Sequence, residues 1–224
     1  MPQITEDLTR PITDAMMVYP GDPEVRLEPA LTLQDDGVAV ARLSCGVQTG
    51  THLDAPCHTV PGGRTVSEVG LEELCGPTLV LHLDAGRDCL ADVDDVRGAL
   101  ARAGCGDAGD RLPPRVLLSF GWDTRFGTGE ALRHPAVSGQ AAELLWDTGM
   151  RVLGTDALSP DPTGVQGADG FPVHDLVLGR DGLIVENLTR LRSLRPGVHR
   201  VGMFPLPLHG VDGAPVRAVV FGAD

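Results

Sequence analysis

Thr78-Leu-Val-Leu-His-Leu83 is a short apolar run with the length and composition of a buried strand. Asp92 to Gly104, DVDDVRGALARAG, follows with helical spacing, an acidic first turn and a glycine at its end. Arg115 to Phe120 then reads as a second strand, leading into the loop GWDTRFGTG. Strand, helix, strand in that order is the grammar of an α/β unit.

Working outward, the pattern continues. Ser138 to Thr148 has the spacing of a helix, with Ser138 as N-cap and Gly149 as its stop. Arg151 to Thr155 is a strand that enters the turn-rich segment Asp156 to Gly170, and Gly182 to Glu186 is another. Asn187 to Leu194 is expected to be a short helix. His199 to Leu208 and Val216 to Phe221 are strands on either side of the turn Asp212-Gly213. Towards the N-terminus, Leu71 to Leu74 is expected to be helical or a short turn, and Val38 to Val47 a strand. Residues 1–33 read as strands and turns, with a tight turn at Tyr19-Pro-Gly-Asp-Pro23. Helices alternate with strands in the middle while turns join strands at both ends, which predicts a mixed α/β sheet in one domain, residues 1–224.

Composition narrows the chemistry. The 18 basic residues are all arginine, so Schiff-base, pyridoxal-lysine, phosphate-loop lysine and Ser–Lys mechanisms are excluded. A net charge of −13 argues against nucleic acid or an anionic membrane as partner, since both need basic patches. The first residues, MPQITEDLTRPI, show no basic segment followed by an apolar one. Cys45, Cys57, Cys75, Cys89 and Cys105 form no CxxC pair, and are expected to be reduced, mostly buried thiols of a cytoplasmic protein. No G-x-S-x-G elbow is present, which disfavours a serine hydrolase.

The densest polar cluster is Gln48-Thr-Gly-Thr-His-Leu-Asp-Ala-Pro-Cys-His58. If 48–54 is extended, Gln48, Gly50, His52 and Asp54 share one face, with Gly50 leaving room beside them. An imidazole and a carboxylate on one face suit a divalent metal such as zinc or manganese. His58, beyond Pro56, is then placed to move protons. Taken singly, each of these residues is an ordinary turn or capping residue; the three together around Gly50 and Pro56 read as a site. Cys57 is a neighbour of His58, but adjacent residues of an extended segment point to opposite faces, so it is assigned to packing.

This segment resembles the signature of the cyclase family of metal-dependent hydrolases, His-x-Gly-Thr-His-x-Asp-x-Pro-x-His, the family of bacterial kynurenine formamidase and isatin hydrolase. Val18-Tyr-Pro-Gly-Asp22, Phe120-Gly-Trp-Asp123, Gly154-Thr-Asp-Ala-Leu-Ser159, Ile184-Val-Glu-Asn-Leu188 and Asp212-Gly-Ala-Pro-Val-Arg217 extend the likeness over nearly the whole chain. The resemblance implies a compact domain of the swivelling β/β/α type that assembles as a homodimer or homotetramer. It implies a zinc or manganese site of His52, Asp54, His174 and Glu186, with Asp54 bridging and His58 as acid/base. Gln48 stands where the family has its first histidine. An amide oxygen is a harder, weaker ligand than imidazole, so a shift towards manganese or magnesium, one metal, or none is expected. His209 is a remote substitute for the missing histidine.

The implied chemistry is hydrolysis of an amide, formamide, lactam or lactone of a small, cyclic or aromatic substrate, or the reverse ring closure. Two other readings stay open: a natural-product cyclase or dehydratase with an altered metal site, and a binding protein that kept the fold without the catalysis. Only 4% of residues are aromatic, but Tyr19, Trp122, Phe126 and Phe171 fall in loops, where they can stack on a substrate ring or plug the core.

Overall fold

The computed structural model describes residues 3–105, 111–163 and 170–222. In chain order its elements are β1 (Ile4–Asp7), β2 (Arg26–Leu31), α1 (Leu33–Asp36), β3 (Val40–Ser44), β4 (His52–Asp54), α2 (Leu71–Leu74), β5 (Cys75–His82), β6 (Leu90–Ala91), α3 (Val93–Arg102) and β7 (Arg115–Ser119). They continue with β8 (Ala136–Val137), α4 (Gly139–Asp147), β9 (Val152–Thr155), α5 (Pro172–Gly179), β10 (Leu183–Glu186), β11 (Gly197–Pro205) and β12 (Gly213–Phe221).

The main sheet runs β1-β12-β11-β5-β7-β9-β10-β4. It is mixed: β5, β7, β9 and β10 are parallel neighbours, while β11, β12 and β4 join antiparallel. β12 also pairs with β4, through Gly213↔Asp54 and Pro215↔His52, which closes the strands from β4 to β12 into a barrel. Further along the same edge of β12, Val219 to Phe221 pairs with β1. The chain is therefore a single compact α/β domain built on a mixed, closed sheet.

Strand alternation divides the apolar residues into two cores. Val80, Leu117, Val152 and Val185 point into the barrel, where they meet Leu53, Met203 and Val216. Leu79, Leu81, Val116, Leu118, Leu153 and Ile184 point outward and are covered by α3, α4 and α5. The helix starts follow local chemistry. Asp92 accepts from the amides of Asp94 and Asp95 to cap α3, and Ser138 accepts from the amide of Ala141 to cap α4, as their positions predict.

Several stretches differ from expectation. Asn187 to Leu194 holds only the 3₁₀ turn Leu191–Ser193, not a longer helix, because Asn187 and Arg190 adopt φ +56° and +57°, left-handed values that a right-handed helix cannot include. The strand expected over Val38 to Val47 shortens to β3, which pairs only with β2 in a separate ribbon whose residues are all exposed. The cysteines are expected to be mostly buried, but none is fully buried: Cys89 is exposed and the other four are half-buried. The turn-rich segment Asp156 to Gly170 lies partly outside the described residues. No helix among the described residues is long and apolar enough to cross a membrane.

Candidate active site

β4 and β10 lie antiparallel in the register Glu186↔His52 and Ile184↔Asp54. Directly opposed residues share a face, so Leu53 and Val185 turn into the barrel while His52, Asp54 and Glu186 turn outward beneath α5. His52 Nε2 lies 3.3 Å from Glu186 Oε2 and 3.6 Å from Asp54 Oδ2. His174, on the first turn of α5, brings its Nε2 to 3.4 Å from Glu186 Oε1. Four of the five residues expected to hold a metal therefore meet, although they span the chain from 52 to 186.

Three of their polar atoms are buried with no hydrogen-bond partner: His52 Nε2, Asp54 Oδ1 and Glu186 Oε1. Leaving such atoms unpaired is costly, so their convergence calls for a charged guest. Ligand atoms of His52, Asp54 and Glu186 all lie within 4.8 Å of one another, the geometry of a small cation site. One imidazole and two carboxylates suit a divalent metal ion.

The supporting bonds fix both imidazoles. His52 Nδ1–H donates to the Gly50 carbonyl at 2.9 Å, so Nε2 is the nitrogen that faces the carboxylates. His174 Nδ1–H donates to Asp161 Oδ2 at 2.7 Å. Asp161, fully buried, also accepts from the amides of Val173 and His174, so one carboxylate both caps α5 and aims His174. Burial alone would lower the His52 and His174 pKa values. The Asp54 and Glu186 carboxylates instead hold His52 well above the ordinary imidazole value, and Asp161 and Glu186 push His174 up to about 10. Burial opposes ionisation of Glu186 as well, but the two imidazoles hold its pKa well below the ordinary carboxylate value.

Gln48 and His58 line the same cavity. The segment 48–54 is not extended throughout, as the shared-face expectation required. Gly50 adopts φ +63°, a left-handed turn that glycine favours, and the strand begins at His52. Glycine is thus required at position 50 by the backbone and not by lack of space. The Gln48 amide nitrogen donates to Asp212 Oδ2 at 2.9 Å, and His58 Nδ1–H donates to the same oxygen at 2.8 Å. His209 is exposed and does not line the cavity; its Nδ1 lies 3.4 Å from Ser67 Oγ. Cys57 sits in the 3₁₀ turn Pro56–His58, and burial and Asp212 raise its thiol pKa, which disfavours a thiolate nucleophile.

The cavity above these groups has a volume of about 510 Å³, enough for a small bicyclic molecule. Tyr19, Phe126 and Phe171 line it, and the Phe171 ring meets His174 edge-on at 5.9 Å. Trp122 does not reach it. Its indole packs against the outer core, with the Arg125 guanidinium 5.9 Å from the ring, so it is a plug of the kind left open above. Asp22 reaches the cavity wall from the Tyr19–Pro23 turn, and burial raises its pKa. Asp161 carries no signal in the sequence on its own, and Asp212 stands there only as a turn residue within the family likeness. Each is identified only by the histidine it contacts after folding.

Residues 6–162 match the family model described as "Putative cyclase". The fold agrees with a potential metal-dependent hydrolase with cyclase activity, at 28% identity and TM-score 0.77, covering all of both chains. A predicted metal-dependent hydrolase from Bacillus stearothermophilus is similar at 28% identity and TM-score 0.76, over 99% of this chain and 98% of its own. Isatin hydrolase A from Ralstonia solanacearum shares the fold at 22% identity and TM-score 0.82, over 99% and 92%. With His52 and Asp54 of the motif buried beside Glu186 in a cluster of metal-ligand type, the chain belongs to the cyclase family and is an enzyme of that hydrolase and cyclase type.

Proposed function

We propose that this enzyme hydrolyses the acyl C–N bond of a small cyclic or aryl amide with one divalent ion, zinc or manganese. The observation that carries this reading is the trio of buried, unpartnered atoms of His52, Asp54 and Glu186 at the floor of an aromatic-lined cavity. His174 is the fourth residue at that floor, and Asp161 holds its ring. A bound divalent ion supplies Lewis acidity there, polarising the substrate carbonyl and acidifying water.

The chain's own groups supply the remainder. Tyr19, Phe126 and Phe171 take the apolar ring and exclude water around it. His58 Nε2 accepts the proton of the attacking water and returns a proton to the leaving nitrogen. The C–N bond breaks as the C–O bond forms, so one water is consumed and an acid and an amine result. Ring closure is the same path reversed, with water released. Assembly as a homodimer or homotetramer and residence in the cytoplasm belong to the same proposal; the unpaired cysteines suit a reducing compartment.

The test is to strip the protein with chelator, measure metal content, and assay isatin and N-formylkynurenine before and after adding back zinc or manganese. Restored hydrolysis, with His52→Ala neither binding nor turning over, is the expected result. Equal metal affinity in His52→Ala and the unaltered chain refutes the site.

A further inference from the structure

We infer that Gln48 and Asp212 act as positioning residues for His58, and that Gln48 stands outside the metal's ligand set. This rests on the proposed acid/base role of His58 and adds the groups that decide which of its nitrogens works.

The frame comes first. The Ala55 amide donates to the Asp212 carbonyl at 2.8 Å, and the His58 amide donates to the Ala55 carbonyl at 2.9 Å. Asp212 is thus fixed to the end of β4, and His58 is fixed by the tight turn that Pro56 starts. Gly213 allows the close approach. A Cβ there would lie 2.6 Å from Gln48 Nε2 and 2.9 Å from the Leu53 carbonyl.

The donors settle the roles. A carboxylate only accepts hydrogen bonds, so the Gln48 atom 2.9 Å from Asp212 Oδ2 is the NH₂ group. The nitrogen is therefore committed to Asp212 and has no lone pair for a cation, and whether the amide oxygen serves as a ligand is what the zinc titration below reads. The same oxygen accepts from His58 Nδ1 at 2.8 Å, which keeps a proton on Nδ1 and leaves Nε2 bare on a ring that lines the cavity. Gln48 Nε2 and His58 Nδ1 are 3.4 Å apart, two donors side by side on one acceptor. The Gln48 bond holds the carboxylate in the orientation His58 needs. Position 48, a histidine in the family motif, has in this chain joined the proton-transfer apparatus.

The decisive measurement is ¹⁵N NMR of the His58 ring on the neutral side of its titration, with zinc titrations and isatin turnover run in parallel. The unaltered chain should show the Nδ1–H tautomer. Asp212→Ala should move the proton towards Nε2, the preference of a free histidine side chain, and lower kcat about 10²-fold with KM little changed. Asp212→Asn, which keeps one acceptor, should restore part of both. Gln48→Met, which keeps length but removes the donor, should leave zinc affinity within about threefold while lowering kcat, whereas His52→Ala should weaken zinc by about 10-fold or more. A tenfold weaker zinc affinity in Gln48→Met, or an unchanged His58 tautomer in Asp212→Ala, overturns the inference. The tautomer and zinc arms decide it even if isatin is not turned over, an outcome that would count against the proposed reaction alone.

Discussion

Asp161 shows how much one buried carboxylate does at the residue scale. It accepts from two backbone amides at the start of α5 and from His174 Nδ1, all at 2.7–3.0 Å. Asp161→Asn loses the charge and cannot satisfy all three donors. Metal affinity should fall by about 10–100-fold, as it does when such outer partners are removed elsewhere, and titration with a competing chelator checks this. His58 behaves differently, because it faces the cavity without approaching the three clustered ligand atoms. His58→Ala should lower kcat by about 10²–10⁴-fold and leave metal content unchanged by elemental analysis. A third expectation concerns protons. The carboxylates raise the pKa of both His52 and His174 in the metal-free protein, yet a metal ligand must be a neutral imidazole. Binding an ion should therefore release protons, read by calorimetry in buffers of different ionisation enthalpy.

At the scale of elements, legibility depended on range. Asp92 and Ser138 announce α3 and α4 because a cap acts within three residues of itself. The His52–Asp54 pair was legible for the same reason, being i and i+2 on one short strand. The partner strand was not: nothing near residue 52 states that it will lie against residue 186 in that register. His174 and Glu186 were reached through the family likeness, while Asp161 went unread and Asp212 was read only as a turn residue. Both sit in turns whose polar residues look like any others until folding places a histidine beside them. The packing between strands makes its own prediction. A Cβ on Gly154 of β9 would lie 2.3 Å from Leu117 Cδ2 and 2.9 Å from Leu188 Cδ1. Gly154→Ala should cost about 1–3 kcal/mol by overpacking, measured by denaturant unfolding.

For the whole molecule, the buried charges tie stability to pH. The raised pKa of His174 means its contribution is complete below the unfolded imidazole value of about 6.5 and is lost as pH rises towards 10. The lowered pKa of Glu186 works oppositely, being complete above its ordinary value of 4.5 and lost as pH falls below it. Metal-free protein should melt highest between about pH 4.5 and 6.5 on these two groups, with the alkaline loss reduced when a metal replaces the protons. The β2–β3 ribbon concerns assembly. Leu27, Leu31, Val40 and Leu43 are exposed on it, and an isolated two-stranded ribbon is marginal in water. If the homo-oligomer proposed above forms through this arm, Leu27→Asp with Leu43→Asp should yield a monomer by sedimentation.

The closing pairing of β12 with β4 also sets an order of events during synthesis. β4 meets its two neighbours, β10 and β12, only after more than a hundred intervening residues have been made. Until β12 arrives, the barrel is open along β4, Leu53 and Val185 lack the Ala214 and Val216 side of their core, and Asp212 is not yet beside His58. A nascent chain halted before residue 212 would thus carry His52, Asp54, His174 and Glu186 without the strand that seals them. If a divalent ion binds among these residues, a chain halted there should hold it more weakly than the closed barrel does, and metal affinity would then report completion of the fold.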